Sequence, residues 1–110
     1  MIRAVVRRDA AGEAVSLELR GHAGKGPAGF DLVCAAVSAV VQTAALGLTR
    51  VAGAHPAVES RSGYFRCVLP AAEAGTPAAR AILETALAGL RDIAEEHFEA
   101  LRVEEHGEER

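Results

Sequence analysis

His22 and Cys34 are the two side chains in this sequence whose types and spacing could do covalent chemistry together. Asp31 stands just before an apolar run, and its carboxylate is of the type that accepts the orphan N–H groups of a first helical turn. The spacing therefore predicts Asp31 as N-cap and Cys34 at the third helical position. A thiol there lies near the positive end of the helix macrodipole, which favours thiolate, the form that attacks a carbonyl. His22 closes a strand-like segment on the far side of a glycine-rich stretch, from which its imidazole could reach the sulfur. A nucleophile at a helix start with a base on an adjacent strand is the arrangement of Cys–His acyl transfer. N–H groups of the same helix start would hold the oxyanion. The competing reading of Cys34 is structural, because a free cysteine in an apolar helix is most often core. Cys67, sharing a strand face with Phe65 and Leu69, reads as core.

Ser38 follows Cys34 by one helical turn and shares its face. It either bonds back to its own helix or lines the site and orients His22. Asp31 has two readings as well, cap or imidazole partner, since a carboxylate facing the sulfur would oppose its ionisation. Gly21, Gly24, Gly26 and Gly29 make the intervening stretch a movable flap between base and nucleophile. Gly24 to Gly29 also matches G-x-G-x-x-G, but a dinucleotide site needs a βαβ unit ending in an acidic residue, and Asp31 would repel a phosphate at the helix start. No cofactor is expected. His55, His97 and His106 are read as surface residues, and the four histidines show no metal-ligand spacing.

The elements that must position these residues are legible from periodicity. Ile2, Ala4 and Val6, then Val15, Leu17 and Leu19, alternate with polar neighbours as two strands of a hairpin. A long apolar helix follows Asp31 and is closed by Gly53 and Pro56. Val58–Arg61 and Tyr64–Leu69 flank Ser62-Gly63 as a second hairpin. Thr76-Pro77 caps an amphipathic helix carrying Ile82, Leu83, Leu87 and Leu90. Leu101 and Val103 suggest a short last strand, with residues 104–110 a frayed acidic tail. The order ββαββαβ predicts an α+β two-layer sandwich, one domain over 1–110, in which both helices cover one face of a mainly antiparallel sheet.

Composition narrows the classes of function. The chain has 110 residues and two cysteines, too few for a disulfide framework, and its first residues lack the pattern of a secretory signal. A cytoplasmic setting is expected. Residues 1–91 carry ten Lys/Arg against seven Asp/Glu, and residues 92–110 carry two against eight. With no basic stripe or aromatic platform, direct nucleic-acid binding is not expected. Leu32 to Thr49 is uncharged but interrupted by Ser38, Gln42, Thr43 and Gly47, and reads as a core or interface helix rather than a membrane span. Its surplus apolar surface would be covered by a homodimer.

The stretch Gly21-His22-Ala23-Gly24, a short loop, then Gly29-x-Asp31-x-Val33-Cys34-Ala35-Ala36-Val37-Ser38 resembles the signature of the bacterial ribosomal-processing cysteine proteases, the Prp family. The resemblance implies Cys34 as nucleophile, His22 as base and proton carrier, and Asp31 and Ser38 as supporting residues. It also implies a homodimer without metal or cofactor whose substrate is the N-terminal extension of a large-subunit ribosomal protein. The loop centre Lys25-Gly26-Pro27-Ala28 departs from relatives in lacking an aromatic. Two other readings fit the residues: a non-catalytic dimeric ribosome-associated binding module, and a thiol redox sensor using Cys34 and Cys67.

Overall fold

The structure, a computed structural model, describes residues 1–21 and 30–107, with backbone only for Phe30 and Asp31. Strands β1 (Ile2–Arg8) and β2 (Ala14–Arg20) lead into helix α1 (Phe30–Arg50). Strands β3 (Ala57–Arg61) and β4 (Tyr64–Val68), a 3-10 turn at Ala71–Glu73, helix α2 (Pro77–Glu96) and strand β5 (Leu101–Gly107) complete the order. The five strands form one sheet in the order β3-β4-β2-β1-β5, antiparallel except where β5 runs parallel to β1.

This order explains why both helices share one face. Since β4 is antiparallel to both neighbours, β3 is parallel to β2, and α1 is the crossover between them. By the same reasoning β5 is parallel to β4, and α2 is their crossover. The second crossover starts from a strand of opposite direction and moves the opposite way across the sheet. Two right-handed connections of that kind fall on the same side.

Alternation then places the core. Leu17 and Leu19 of β2, Ala4 of β1 and Phe65 and Cys67 of β4 point at the helices. Val33, Val37, Val41 and Leu48 come down from α1, and Leu83, Leu87 and Leu90 from α2. Leu48 and Leu90 are fully buried, and each such leucine contributes about 1.5–3 kcal/mol relative to exposure. Helix α2 starts as its sequence requires: the Thr76 hydroxyl accepts from the Ala79 N–H at 3.3 Å with Pro77 in the first turn.

Two boundaries differ from the sequence reading. Helix α1 begins at Phe30, so Asp31 lies inside the first turn rather than capping it, and Cys34 is the fifth helical residue. The segment from Glu104 is not a frayed tail as far as Gly107; it continues β5 alongside Val5–Arg8. Its charges are held by arginines. Arg3 Nε donates to Glu104 at 2.7 Å, and Arg8 Nε donates to Glu105 at 2.8 Å. Arg8 also grips Glu84 of α2 through both terminal nitrogens, at 2.7 and 2.9 Å, which holds the Glu84 carboxyl below the usual carboxylate range. Residues 108–110 lie outside the described residues.

Candidate active site

Cys34 lies half-buried on the flank of α1 that faces away from α2, beside a cavity of about 340 Å³. Helical spacing brings Ser38 and Gln42 onto the same flank, one and two turns further on, and both line the cavity. The opposite wall is the β3–β4 hairpin, from Ser60 through the Ser62-Gly63 turn to Tyr64. Gly63, at φ +72°, takes the left-handed position of that turn. The cavity therefore sits where β2 and β3, which run parallel on either side of β4, reach their carboxyl ends and α1 begins, the place where open sheets with helical crossovers bind ligands.

Gly21 fixes this end of the sheet. Its N–H donates to the Gly63 carbonyl at 3.0 Å, tying the end of β2 to the hairpin turn. Its φ is +99°, and a Cβ there would fall inside contact distance of the Met1 carbonyl oxygen. Gly21→Ala is expected to cost on the order of 2–4 kcal/mol and to lower activity further by displacing the cavity wall. Thermal melts beside activity per folded molecule check both parts. An unchanged melting temperature would contradict the steric argument.

Among the described residues, arginines gather at this end of the sheet. Arg61 stacks over the Tyr64 ring with its guanidinium 4.0 Å from the centroid, and Arg20 lies over the same ring at 5.4 Å. Arg20 is in turn paired to the buried Glu18 carboxylate, which has Arg66 at 3.9 Å. Among the described residues lining the cavity, Arg61 carries the only formal charge. The N–H groups of Phe30, Asp31 and Leu32 belong to the first turn and have no partner within their own helix, whereas that of Cys34 can pair with Phe30, one consequence of the earlier helix start. These donors suit an oxyanion formed beside the sulfur.

Cys67 is of another kind. It is buried against the core on β4, and burial pushes its thiol up to about 11, leaving it neutral and unreactive at physiological pH. Both cysteines are free thiols. Ser38 lines the cavity and makes no bond back to its own helix; Thr49 shows the contrasting behaviour, its hydroxyl donating to the Ala45 carbonyl at 3.0 Å. His22, Gly24, Gly26 and Gly29 lie outside the described residues, as does the Asp31 side chain. His55 is bonded to Glu73 at 2.7 Å, His97 closes α2, and His106 is on β5. No group of three metal-ligating side chains comes together among the described residues. Sequence reasoning missed Gln42, Arg61 and Tyr64; the i, i+4, i+8 ladder from Cys34 could have found Gln42.

Known proteins resemble this chain over nearly its whole length. Residues 1–102 match the family described as cysteine protease Prp. The ribosomal processing cysteine protease Prp of Bacillus subtilis is 35% identical over 109 residues, which span 94% of this chain and 96% of that protein. The crystal structure of SMU.848 from Streptococcus mutans superposes with a TM-score of 0.87 at 29% identity, covering 98% of this chain and 96% of that one. The S. aureus ribosomal processing protease Prp, solved with a covalently linked product peptide, superposes with a TM-score of 0.84 at 27% identity, covering 96% of this chain and 99% of that one. The match over residues 1–102, the 35% identity to a full-length relative and the shared fold place the chain in the Prp family of cysteine proteases.

Proposed function

We propose that this protease removes the N-terminal extension of a large-subunit ribosomal protein, in the cytoplasm, with Cys34 as nucleophile and His22 as base and proton carrier. The observation that carries the reading is the exposure of the Cys34 flank to a cavity bounded by Gly21, the covalent neighbour of His22. In the first step the Cys34 thiolate bonds to the scissile carbonyl carbon and the carbonyl oxygen becomes an oxyanion held by helix-start N–H groups. Collapse of this intermediate breaks the C–N bond, and the amine leaves with a proton from the His22 imidazolium. Water, giving a proton to His22, then attacks the thioester, releasing the carboxylate and restoring the thiolate. The covalently linked product peptide of the S. aureus relative supports a covalent route of this class. Asp31 and Ser38 are assigned supporting roles, Ser38 from its place one turn beyond the sulfur.

The test is incubation with the ribosomal protein carrying its extension, followed by mass measurement. A product shortened at the N-terminus is the expected result. An unchanged mass in a stable complex would mean a binding module and would overturn the reading.

The active form in this proposal is a homodimer. Phe30–Thr49 carries a single charge, Asp31, yet α1 buries only one face on the sheet and one flank on α2, leaving Leu32 75% and Leu46 49% exposed. An apolar groove continues this surface between the helices, floored by Ala39, Thr43, Gly47, Ala81 and Gly89. A second copy would withdraw both surfaces from water. Thr43→Arg, which puts a charge in the groove, is expected to yield a folded monomer in sedimentation. A dimer of unchanged strength would exclude this face as the interface.

A further inference from the structure

The cavity beside Cys34 has a second polar feature that the cleavage chemistry does not use. Gln42 lies on the same flank of α1 as Cys34 and Ser38, its side chain is exposed, and it makes no hydrogen bond among the described residues. Eight residues of α-helix separate Cys34 from Gln42, a rise of about 12 Å. An extended peptide advances about 3.3 Å per residue, so the same distance spans three to four residues of substrate. Across the cleft, Ser60 lines the opposite wall, its hydroxyl also without a partner among the described residues.

The backbone of this wall is polarised in a definite way. The Gly21 N–H donates to the Gly63 carbonyl and the Leu69 N–H donates to the Val15 carbonyl, at 3.0 and 2.8 Å. These bonds sit at the two ends of the β2–β4 ladder, so Phe65 and Cys67 direct their backbone groups at β2, while Tyr64, Arg66 and Val68 direct theirs at β3. Arg61 and Glu59 answer them from β3. The backbone groups of Ser60 then point at the free edge, away from the cleft, which leaves side chains as the polar groups offered to a peptide from this part of β3. The matching group on the α1 side is Gln42. A carboxamide presents one acceptor and a pair of donors in a plane, the same complement as a peptide unit, and can pair with main chain of any sequence.

We infer that the Gln42 carboxamide holds the substrate main chain three to four residues from the bond that Cys34 cleaves, making this end of the cavity an extended-peptide subsite. The inference rests on the proposed protease reading of the cavity but is testable apart from it. The probe is a synthetic peptide spanning the cleavage junction of the extended ribosomal protein, with about six residues on each side of it. Two shortened versions end two residues from the junction, one on each side. Binding is measured in the Cys34→Ala background, where no turnover intervenes, and cleavage in the Cys34 background.

Gln42→Leu keeps the side-chain bulk on an exposed position and removes both hydrogen-bonding functions. It is expected to weaken binding of the long peptide about tenfold, the loss of two neutral hydrogen bonds. In turnover the loss should fall on KM with kcat near that of the parent. One of the two shortened peptides, the one lacking the residue that reaches Gln42, should bind the Leu variant and its parent equally. Equal binding of the long peptide to both proteins overturns the inference. So does an equal loss on all three peptides, which would mean a general disturbance of the cleft. Failure of the protease reading has a separate signature, namely absence of cleavage by the unmodified chain whatever the binding series shows.

Discussion

Cys34→Ala is expected to abolish cleavage of the extended ribosomal protein, lowering kcat/KM by a factor on the order of 10^4 or more, while the protein stays folded. The size of the loss follows from the step removed. Without the sulfur there is no covalent intermediate, and only helix-start donors and peptide binding remain to accelerate attack by water. The fold should survive because Cys34 is half-buried at the margin of the core, on a flank that faces the cavity. Cys34→Ser should fall nearly as far, since a hydroxyl at this position has no accessible anion. Cys67→Ala supplies the internal contrast. It removes a sulfur from a fully packed site, so it should lower stability by about 1–2 kcal/mol and leave activity per folded molecule unchanged. Full cleavage by Cys34→Ala would end the assignment of the nucleophile. Loss of activity in Cys67→Ala at undiminished stability would revive the redox reading.

The parts of this molecule that local pattern could specify are those where one face of an element is buried. The alternation of Ile2, Ala4 and Val6 and of Leu17 and Leu19 gave the first hairpin, and Thr76-Pro77 marked the start of α2 where the structure has it. Strand order was not legible, because it depends on how crossovers travel across the sheet and not on any one segment. That is why Arg61 and Tyr64, which reach the cavity only once β4 is inserted between β2 and β3, carried no signal. Charge misled at the C-terminal end. Glu104 and Glu105 resemble a solvated run until Arg3 and Arg8 are set beside them by a parallel pairing across almost the whole length of the chain. Cys34 and Ser38 share a helix face by spacing alone, a relation that a two-residue error in the helix start leaves intact.

His22→Ala is expected to lower kcat/KM by about 10^2–10^4, the usual worth of a positioned proton carrier. The chain has four histidines, and the three among the described residues are placed elsewhere: His55 against Glu73, His97 at the close of α2, His106 on the β5 strand next to Arg7. No carboxylate lines the cavity among the described residues, and the one charged group that does, Arg61, is a guanidinium, a donor and not a base. Of the chain's histidines, His22 is the one to which the proposed mechanism assigns the proton that must reach the departing amine, and it is joined to Gly21 on the cavity wall. Because the defect would lie in proton transfer and not in peptide binding, it should appear in kcat with the affinity of the inactive Cys34→Ala form unaltered by adding His22→Ala. Imidazole supplied in the buffer should restore part of the lost rate in His22→Ala and none in Cys34→Ala. A His22→Ala enzyme as active as its parent would remove the imidazole from the mechanism and leave solvent as the proton carrier.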